Sequence, residues 1–153
     1  MTQFEPQDAR YEGRVRASFA CQQVMTTLGA TMTRVAPGEV EIQLPFRPDL
    51  TQQNGFLHAC IVTTIVDSAC GYAAFSLMPA GVDVLAVEYK VNLLSPALGT
   101  LFAARGRVTK PGRTLTVCTG DVVAVEDGRE KLVATMLATM MTVPDRSHGV
   151  GKV

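Results

Sequence analysis

The sequence predicts an α+β fold in which an antiparallel sheet curls around one central helix. Residues 57–77 are apolar or small on nearly every side, and a helix of that kind is enclosed by the rest of its protein. The chain after this stretch alternates apolar with polar residues and is divided by turn dipeptides, which indicates successive antiparallel strands. A long helix and a sheet large enough to wrap it therefore account for most of the chain.

A helix and a β-hairpin are predicted to precede the central helix. Segments 31–36 and 39–44 flank the turn dipeptide Pro37-Gly38, and the second segment alternates apolar with polar residues. Gly29 is expected to end the first helix, because glycine readily adopts the left-handed conformation found at helix ends. Six apolar residues recur at helical spacing and are expected to line one face of that helix: Ala17, Ala20, Cys21, Val24, Met25 and Leu28.

Four strands are predicted after the central helix, over 84–94, 100–110, 114–126 and 131–143. Asp-Gly between the last two is a strong hairpin signal, and both of those strands are apolar or small on both faces, as expected for strands covered on both sides. The length suits one domain, so 1–153 is predicted to be a single unit. Residues 1–12 and 144–153 are polar or rich in glycine and are expected to be loose.

The composition argues against several classes of partner. Lys plus Arg equals Asp plus Glu at 14 each, and no basic run is present, so neither nucleic acid nor an anionic membrane is expected as the main partner. The polar N-terminus is not a signal peptide, and no apolar stretch indicates a membrane span. The four cysteines show no CxxC spacing, so neither a metal site nor a disulfide is expected. Free cysteines suit a reducing environment, so we expect the protein to be cytoplasmic.

Asp67 is the first candidate for chemistry, because it interrupts the apolar helix. Ile65, Val66, Ala69 and Cys70 surround it in the sequence, and an ionised carboxylate there loses hydration that something must replace. Functional sites tolerate such a cost, but a structural Asp satisfied by a hydroxyl or a backbone amide is an equally good interpretation. Position alone leaves both interpretations open.

The segment 51–59 before the helix is the second candidate. It carries three amide side chains and a glycine at positions 52–55, followed by His58. The free N–H groups and the positive dipole end of a helix start favour negative charge, so this segment could bind a developing oxyanion. By itself, it is better explained as an ordinary capping loop with a partly buried His58.

Together, the two candidates require two chains. Nine helical residues separate His58 from Asp67, which is about 13 Å at ~1.5 Å per residue. One chain cannot bring both ends of that span to the same carbonyl carbon, whereas two chains packed antiparallel along the helix could. If the two features cooperate, the site lies at a homodimer interface.

Part of the chain resembles a known family. The resemblance rests on the stretch QNGFLHACIVTTIVDSACGYAAFSL, followed by VEYKVNLLSPA. These residues contain a polar loop, a helix start similar to a His-Gly-Gly motif, an acidic residue nine positions on, and a strand end from Asn92 to Pro96. Over residues 30–143 the chain resembles the acyl-CoA thioesterases of the hot-dog superfamily, in the group of the phenylacetate-pathway (PaaI-like) thioesterases. The resemblance implies the hot-dog fold, an antiparallel sheet wrapped around a long central helix.

The resemblance also implies a reaction and the roles of single residues. An aryl- or medium-chain acyl-CoA would be hydrolysed to the free acid and CoA without a cofactor, by a homo-oligomer that is a dimer or a dimer of dimers. Carried over to this sequence, Asp67 of one subunit would be the base or nucleophile, and the Ala59 N–H of the other would be the oxyanion donor. The other roles are an orienting hydrogen bond from Gln52, loop shaping by His58, and substrate contacts by Asn54 and Gly55.

Two departures from the family pattern bear on these roles. Ala59 and Cys60 stand where two glycines are usual; the N–H survives, but an added methyl narrows the approach of the substrate. Ala86 lies near the place where relatives often carry a Ser or Thr that helps the attacking water. These departures leave the turnover rate and the preferred acyl group unpredicted. They do not change the predicted reaction class.

The densest basic cluster spans residues 105–113, in a predicted hairpin. Because the CoA tail carries phosphates, Lys110 and Arg113 are candidates for contacts with it. Solvated hairpin charges are the more ordinary explanation of the same pattern.

Two other functions remain open. A non-catalytic module that binds or senses acyl-CoA would keep the pocket without needing Asp67. A hot-dog hydratase or dehydratase would need a His placed beside an acid, and His58 is the one candidate for it. A Ser-triad hydrolase is not expected, because there is no GxSxG motif and His148 lies in the tail that is expected to be loose.

Overall fold

The structure, a computed structural model, describes residues 4–145 of the chain. Its elements are α1 (Tyr11–Ala20), α2 (Gln23–Leu28), β1 (Thr31–Ala36), β2 (Glu39–Pro45), a 3-10 turn (Pro48–Leu50), α3 (Ala59–Phe75), β3 (Val82–Leu93), β4 (Leu101–Lys110), β5 (Leu115–Glu126) and β6 (Arg129–Pro144). The six strands form one antiparallel sheet in the order β1-β2-β4-β5-β6-β3, and α3 packs against five of them. The predicted α+β hot-dog fold is confirmed.

Two glycines let the sheet approach α3 closely. Gly106 of β4 and Gly120 of β5 are paired in register under the helix. A Cβ at Gly106 would overlap the backbone of Ala69, and one at Gly120 would lie 2.7 Å from the sulfur of Cys70. The helix therefore rests on a strip of sheet that carries no side chains, which places its middle turns deep in the core.

Most of α3 is buried, as its composition predicts. Ile65, Val66, Ala69 and Cys70 have no exposed surface. At the helix end, the hydroxyl of Ser76 accepts the N–H of Gly38 at 2.8 Å, which joins the hairpin turn to α3. One stripe of the helix is less covered, and Asp67 lies on it. The residues of this stripe recur at the spacing of one helix face: Cys60, Thr63, Thr64, Asp67 and Gly71.

The prediction of one continuous first helix is wrong. The N–H groups of Cys21 and Gln22 donate to carbonyls three residues back, which ends α1, and Gln22 is extended (φ −80°, ψ 96°) before α2 begins. A helix face cannot continue through an extended residue, so only Met25 and Leu28 of the six predicted residues are buried. Gly29 ends α2 in the left-handed conformation (φ 75°), as predicted. The four remaining predicted residues are exposed: Ala17, Ala20, Cys21 and Val24.

Two apolar surfaces of the sheet are uncovered in the single chain. On the edge strand β3, Leu85, Val87, Tyr89 and Leu93 are each about half exposed, and a register shift between Ala86 and Glu88 interrupts the predicted alternation. The inner residues of β5 and β6 face α3, but Leu115, Leu132 and Leu137 on those strands are exposed. The expectation that these two central strands are covered on both faces is therefore wrong within one chain.

The ends of the described chain are better ordered than their composition suggests. Phe4 packs against the hydrophobic core, Tyr11 begins α1, and β6 continues to Pro144, where it pairs with Val82. The rest of the segments expected to be loose, including His148, lies outside the described residues. Among residues 4–145, no helix is both long enough and apolar enough to cross a membrane.

Candidate active site

The polar loop before α3 is a tight, internally bonded turn. The N–H of Gly55 donates to the carbonyl of Gln52 at 3.0 Å, and Gly55 has a φ of 81°, a conformation that suits glycine. The side-chain oxygen of Gln52 accepts the N–H of Asn54. Two further bonds tie the loop to the fold: Leu57 N–H donates to Ala97 O at 3.1 Å and His58 N–H to Leu50 O at 2.9 Å. The helix start is thereby held in place.

The first turn of α3 leaves one N–H group available. His58 caps the helix: its Nδ1 accepts the N–H of Cys60 at 3.0 Å, and its carbonyl accepts the N–H groups of Ile61 and Val62. The N–H of Ala59 makes no hydrogen bond within residues 4–145. It therefore remains as a donor at the positive end of the helix dipole.

Gln52 and Ala59 open into the same cleft, which has a volume of about 350 Å³. Most of its lining is apolar and comes from the loop, the start of α3, the end of β3 with the segment after it, and β6 (Phe56, Leu57, Val62, Leu93, Pro96 and Val133 among others). Asn54 and Gly55 are exposed and lie outside this lining, and so does Asp67. Of the residues singled out in the sequence, the structure thus brings Gln52 and Ala59 together and leaves Asp67 apart within one chain.

Asp67 stands between two other clefts, of about 230 and 390 Å³, and lines both. Its Oδ1 is buried and has no hydrogen-bond partner within residues 4–145. Burial raises the pKa of the Asp67 carboxyl, because the ionised form loses hydration that no neighbouring donor replaces. The carboxylate is thus a base with a free lone pair, on a residue that lines space a ligand can enter.

The sequence interpretation missed a polar residue beside Asp67. Gln22 lines both of the same clefts, and its Oε1 is also buried without a hydrogen-bond partner among the described residues. The sequence placed Gln22 inside a continuous helix, and only the extended backbone between α1 and α2 turns its side chain toward α3. Nothing in the sequence signals this break.

Two of the four basic side chains in the cluster form ion pairs. Arg105 binds the carboxylates of Glu41 at 2.8 Å and Glu130, and Arg107 lies 3.8 Å from Asp121. Lys110 is exposed at the end of β4. Arg113 lines a separate cleft of about 320 Å³ beside the C-terminal end of α3, away from both Ala59 and Asp67.

The described residues offer no cluster of metal ligands, and the two buried thiols are poor nucleophiles. Within residues 4–145, no group of three or more His, Cys, Asp or Glu side chains could hold a metal ion. The buried Cys70 and Cys118 are free thiols, and burial raises the pKa of both, that of Cys118 to about 12. Both therefore stay protonated and poorly nucleophilic near neutral pH.

Comparison with known proteins decides the family. A profile of the thioesterase superfamily matches residues 54–131, half of the chain, from the polar loop into β6. The chain belongs to the thioesterase superfamily. A thioesterase family protein from Silicibacter pomeroyi, of known crystal structure, is 56% identical and superposes with a TM-score of 0.87; the match covers 88% of this chain and 99% of that one.

More distant proteins of known structure share the fold. The PaaI protein of the E. coli phenylacetic acid degradation operon is 16% identical, with a TM-score of 0.80 over 90% of this chain and 96% of its own. A thioesterase from Haemophilus influenzae is 19% identical, with a TM-score of 0.76 over 86% and 90%. The predicted enzyme class, a thioester hydrolase, is confirmed by the superfamily match, and so is the resemblance to the hot-dog thioesterases.

Proposed function

We propose that this thioesterase hydrolyses an aryl- or medium-chain acyl-CoA to the free acid and CoA, in a site built from two chains. The carboxylate of Asp67 carries this proposal. It is a buried base with no internal partner, and it lies beside clefts that can admit an acyl group. A structural Asp would instead be expected to have its oxygens hydrogen-bonded within the fold.

The separation of the clefts supports a shared site. Ala59 and Asp67 are eight residues apart on α3, which is about 12 Å at ~1.5 Å per residue, and they open into different clefts. The less covered stripe of α3 and the exposed edge strand β3 lie side by side, since Cys60, Thr64 and Asp67 line one cleft with Tyr89 and Val91. A second copy joined antiparallel along this surface would bring its Ala59 to the Asp67 of the first.

The chemistry of such a site follows from its parts. The substrate carbonyl oxygen would accept the Ala59 N–H at the helix start, and Gln52 would orient it with a further hydrogen bond. Asp67 of the other chain would take a proton from water, whose oxygen attacks the carbonyl carbon, and the thiolate of CoA would leave. A preorganised oxyanion donor contributes about 3 kcal/mol and a positioned base ~10²–10⁴-fold in rate.

The remaining predicted contacts belong to the CoA portion of the substrate. Lys110 and Arg113 are proposed to bind the phosphates of CoA. The exposed Asn54 and Gly55 are proposed to contact its pantetheine arm. Charge reversal at Lys110 and Arg113 should raise KM for acyl-CoA and leave KM unchanged for the same acyl group on N-acetylcysteamine, which lacks phosphates.

All four cysteines are free thiols, which supports the proposed reducing, cytoplasmic setting.

The decisive experiment combines an acyl-CoA panel with two variants of Asp67. Free CoA thiol is measured for aryl, medium-chain and long-chain substrates with the wild type, Asp67→Ala and Asp67→Asn. Asp121→Asn is the matched control, since it removes a half-exposed carboxylate on β5. Light scattering tests whether each protein is an oligomer.

Each outcome has a distinct meaning. Loss of CoA release in both Asp67 variants, with oligomer and fold intact, supports the proposal. Wild-type rates in both variants refute the role of Asp67. A wild type that binds acyl-CoA without releasing CoA favours the sensing module, and one that hydrates an enoyl-CoA favours the hydratase.

A further inference from the structure

Two buried oxygen atoms, on different elements of the fold, lack hydrogen-bond partners. Gln22 Oε1, at the junction of α1 and α2, and Asp67 Oδ1, on α3, are each buried without a hydrogen-bond partner among the described residues. A buried acceptor left in this state costs ~1–3 kcal/mol, so such atoms are rare in folded proteins. Because both residues line the same two clefts, one ligand could satisfy both oxygens.

As the structure places them, the two oxygens do not satisfy each other. A carboxylate and an amide oxygen are both acceptors, and no hydrogen bond joins the two side chains. What fits between two acceptors is a small molecule with two donor protons, and water is the smallest. The adjoining clefts hold about 230 and 390 Å³, while a water molecule needs roughly 30 Å³.

Within residues 4–145, no side chain on these clefts donates a hydrogen bond to either oxygen, although Ser18, Ser68 and Tyr72 of the smaller cleft carry hydroxyl groups. Ser68 lines both clefts but has a single hydroxyl proton, which can serve only one of the two oxygens. Ala86, across the smaller cleft, has no polar group at all.

We propose that Gln22 and Asp67 together hold the water molecule that attacks the thioester, with Gln22 as its positioning residue. This inference rests on the proposed function. One proton of the water points to Gln22 Oε1 and the other to Asp67 Oδ1, so that an oxygen lone pair is left to face the substrate carbonyl carbon. An amide oxygen is far too weak a base to take a proton, so Gln22 orients the water and Asp67 deprotonates it.

The step balances without any further reactant. The water oxygen forms the new C–O bond as its proton passes to Asp67, and the carbonyl electron pair moves to the oxygen. Return of that pair breaks the C–S bond, and the thiolate leaves with it. The proton on Asp67 then passes to the leaving thiolate, which restores the carboxylate and gives free CoA and a carboxylic acid.

Gln22 can be altered without removing a structural bond. Its side chain makes no capping hydrogen bond to α2, and the local structure depends on its backbone, whose N–H donates to Phe19 O and whose carbonyl accepts the N–H of Met25, each at 3.0 Å. Any side chain except proline preserves both bonds. The neighbouring Gln23 is exposed and lines neither cleft, so Gln23→Ala is a matched control.

The test compares three substitutions at Gln22. Gln22→Ala removes the oxygen, Gln22→Met keeps the length but not the oxygen, and Gln22→Glu keeps an acceptor while adding charge. We expect kcat to fall about tenfold for Ala and Met with KM unchanged, because the lost hydrogen bond acts on the water and not on the substrate. Glu should recover activity at high pH, with the pH profile displaced upward, because a second carboxylate makes Asp67 harder to ionise.

The titratable groups near Asp67 must be considered in reading that profile. Asp83 and Tyr72 line the smaller cleft, and Cys60 and Tyr89 line the larger one. All four are unchanged among the Gln22 variants, so a displacement seen only with Glu arises from the new carboxylate.

The outcomes separate this inference from the proposed function. An active Gln22→Met beside an inactive Gln22→Ala would mean that Gln22 only fills space, and full kcat in both would mean that it does not hold the water; either result overturns the inference. If Asp67→Asn abolishes CoA release in the same assays, the proposed function stands in both cases. If Asp67→Asn keeps wild-type activity, the proposed function itself fails.

Discussion

Ala59 and Asp67 lie on the same helix but face different clefts. Ala59 lines the cleft of Gln52, whereas Asp67 lines two clefts beside Gln22 and the edge strand. The oxyanion donor must reach the reacting carbonyl oxygen while the base reaches the water that attacks the carbonyl carbon. The proposed mechanism therefore takes the donor from one chain and the base from another.

The oxyanion donor can be removed without disturbing the helix. Ala59 is the first residue of α3, where proline is well tolerated, and His58 before it already has a proline-compatible conformation (φ −62°, ψ 140°). Ala59→Pro deletes the N–H alone, so kcat should fall ~10²–10³-fold while the melting temperature stays within a few degrees. Ala59→Gly, which keeps the N–H, is the control and should stay active. Equal rates in both variants would exclude the Ala59 N–H as the donor.

Mixed oligomers test whether the site is shared. Asp67→Asn and Ala59→Pro should each be inactive alone. In a heterodimer, one site contains both defects and the other contains neither, so random mixing after unfolding and refolding should restore about a quarter of wild-type sites. The measurement is CoA release as a function of the mixing ratio. A mixture that stays inactive while heterodimers are demonstrably present would place both groups in one chain.

The activity should depend on pH through Asp67. A base acts when ionised, and burial raises the pKa of this carboxyl above its ordinary 3.8. The value of kcat/KM should therefore be constant near neutral pH and fall about tenfold per pH unit below the raised pKa. A profile with no acidic limb above pH 3.8, measured where the protein remains folded, would contradict Asp67 as the base.

The same raised pKa has a consequence for stability. At pH values between the unfolded-state and folded-state pKa of Asp67, the folded chain still holds the proton that the unfolded chain has lost. The free energy of unfolding therefore falls as pH rises through that window, and the loss is complete above it. Asp67→Asn should therefore raise the melting temperature at pH 7. The gain should vanish below pH 3.8, where the carboxyl is protonated in both states.

Because the sheet lies so close to α3, alanine substitutions at two glycines should have opposite effects on stability. Gly106→Ala would force a methyl into the backbone of Ala69 and should lower the free energy of unfolding by ~1–3 kcal/mol. Gly13→Ala, in α1, meets no atom within 4 Å and should add ~0.5–1 kcal/mol, because alanine favours the helix. Denaturant unfolding measures both. Similar stabilities in the two variants would mean that α3 can move away from β4.

Much of the fold followed from local patterns. The hairpin turn at Pro37-Gly38, the helix end at Gly29 and the four later strands lie within a few residues of their predicted bounds. These features depend on the conformational preferences of single residues and on short-range periodicity. The break at Gln22 has no such signature, because its polar side chain suits a helix as well as an extended residue.

By itself, the sequence determined the fold class, the enclosed helix with a carboxylate in it, and the polar loop ahead of that helix, because local periodicity and turn chemistry are written in neighbouring residues. Tertiary structure decided which groups meet. It placed Ala59 with Gln52, kept Asp67 in separate clefts, and brought Gln22 to them from 45 residues away along the chain. Contacts of that kind depend on how α1, α2 and β3 pack around α3, and no local pattern records that packing.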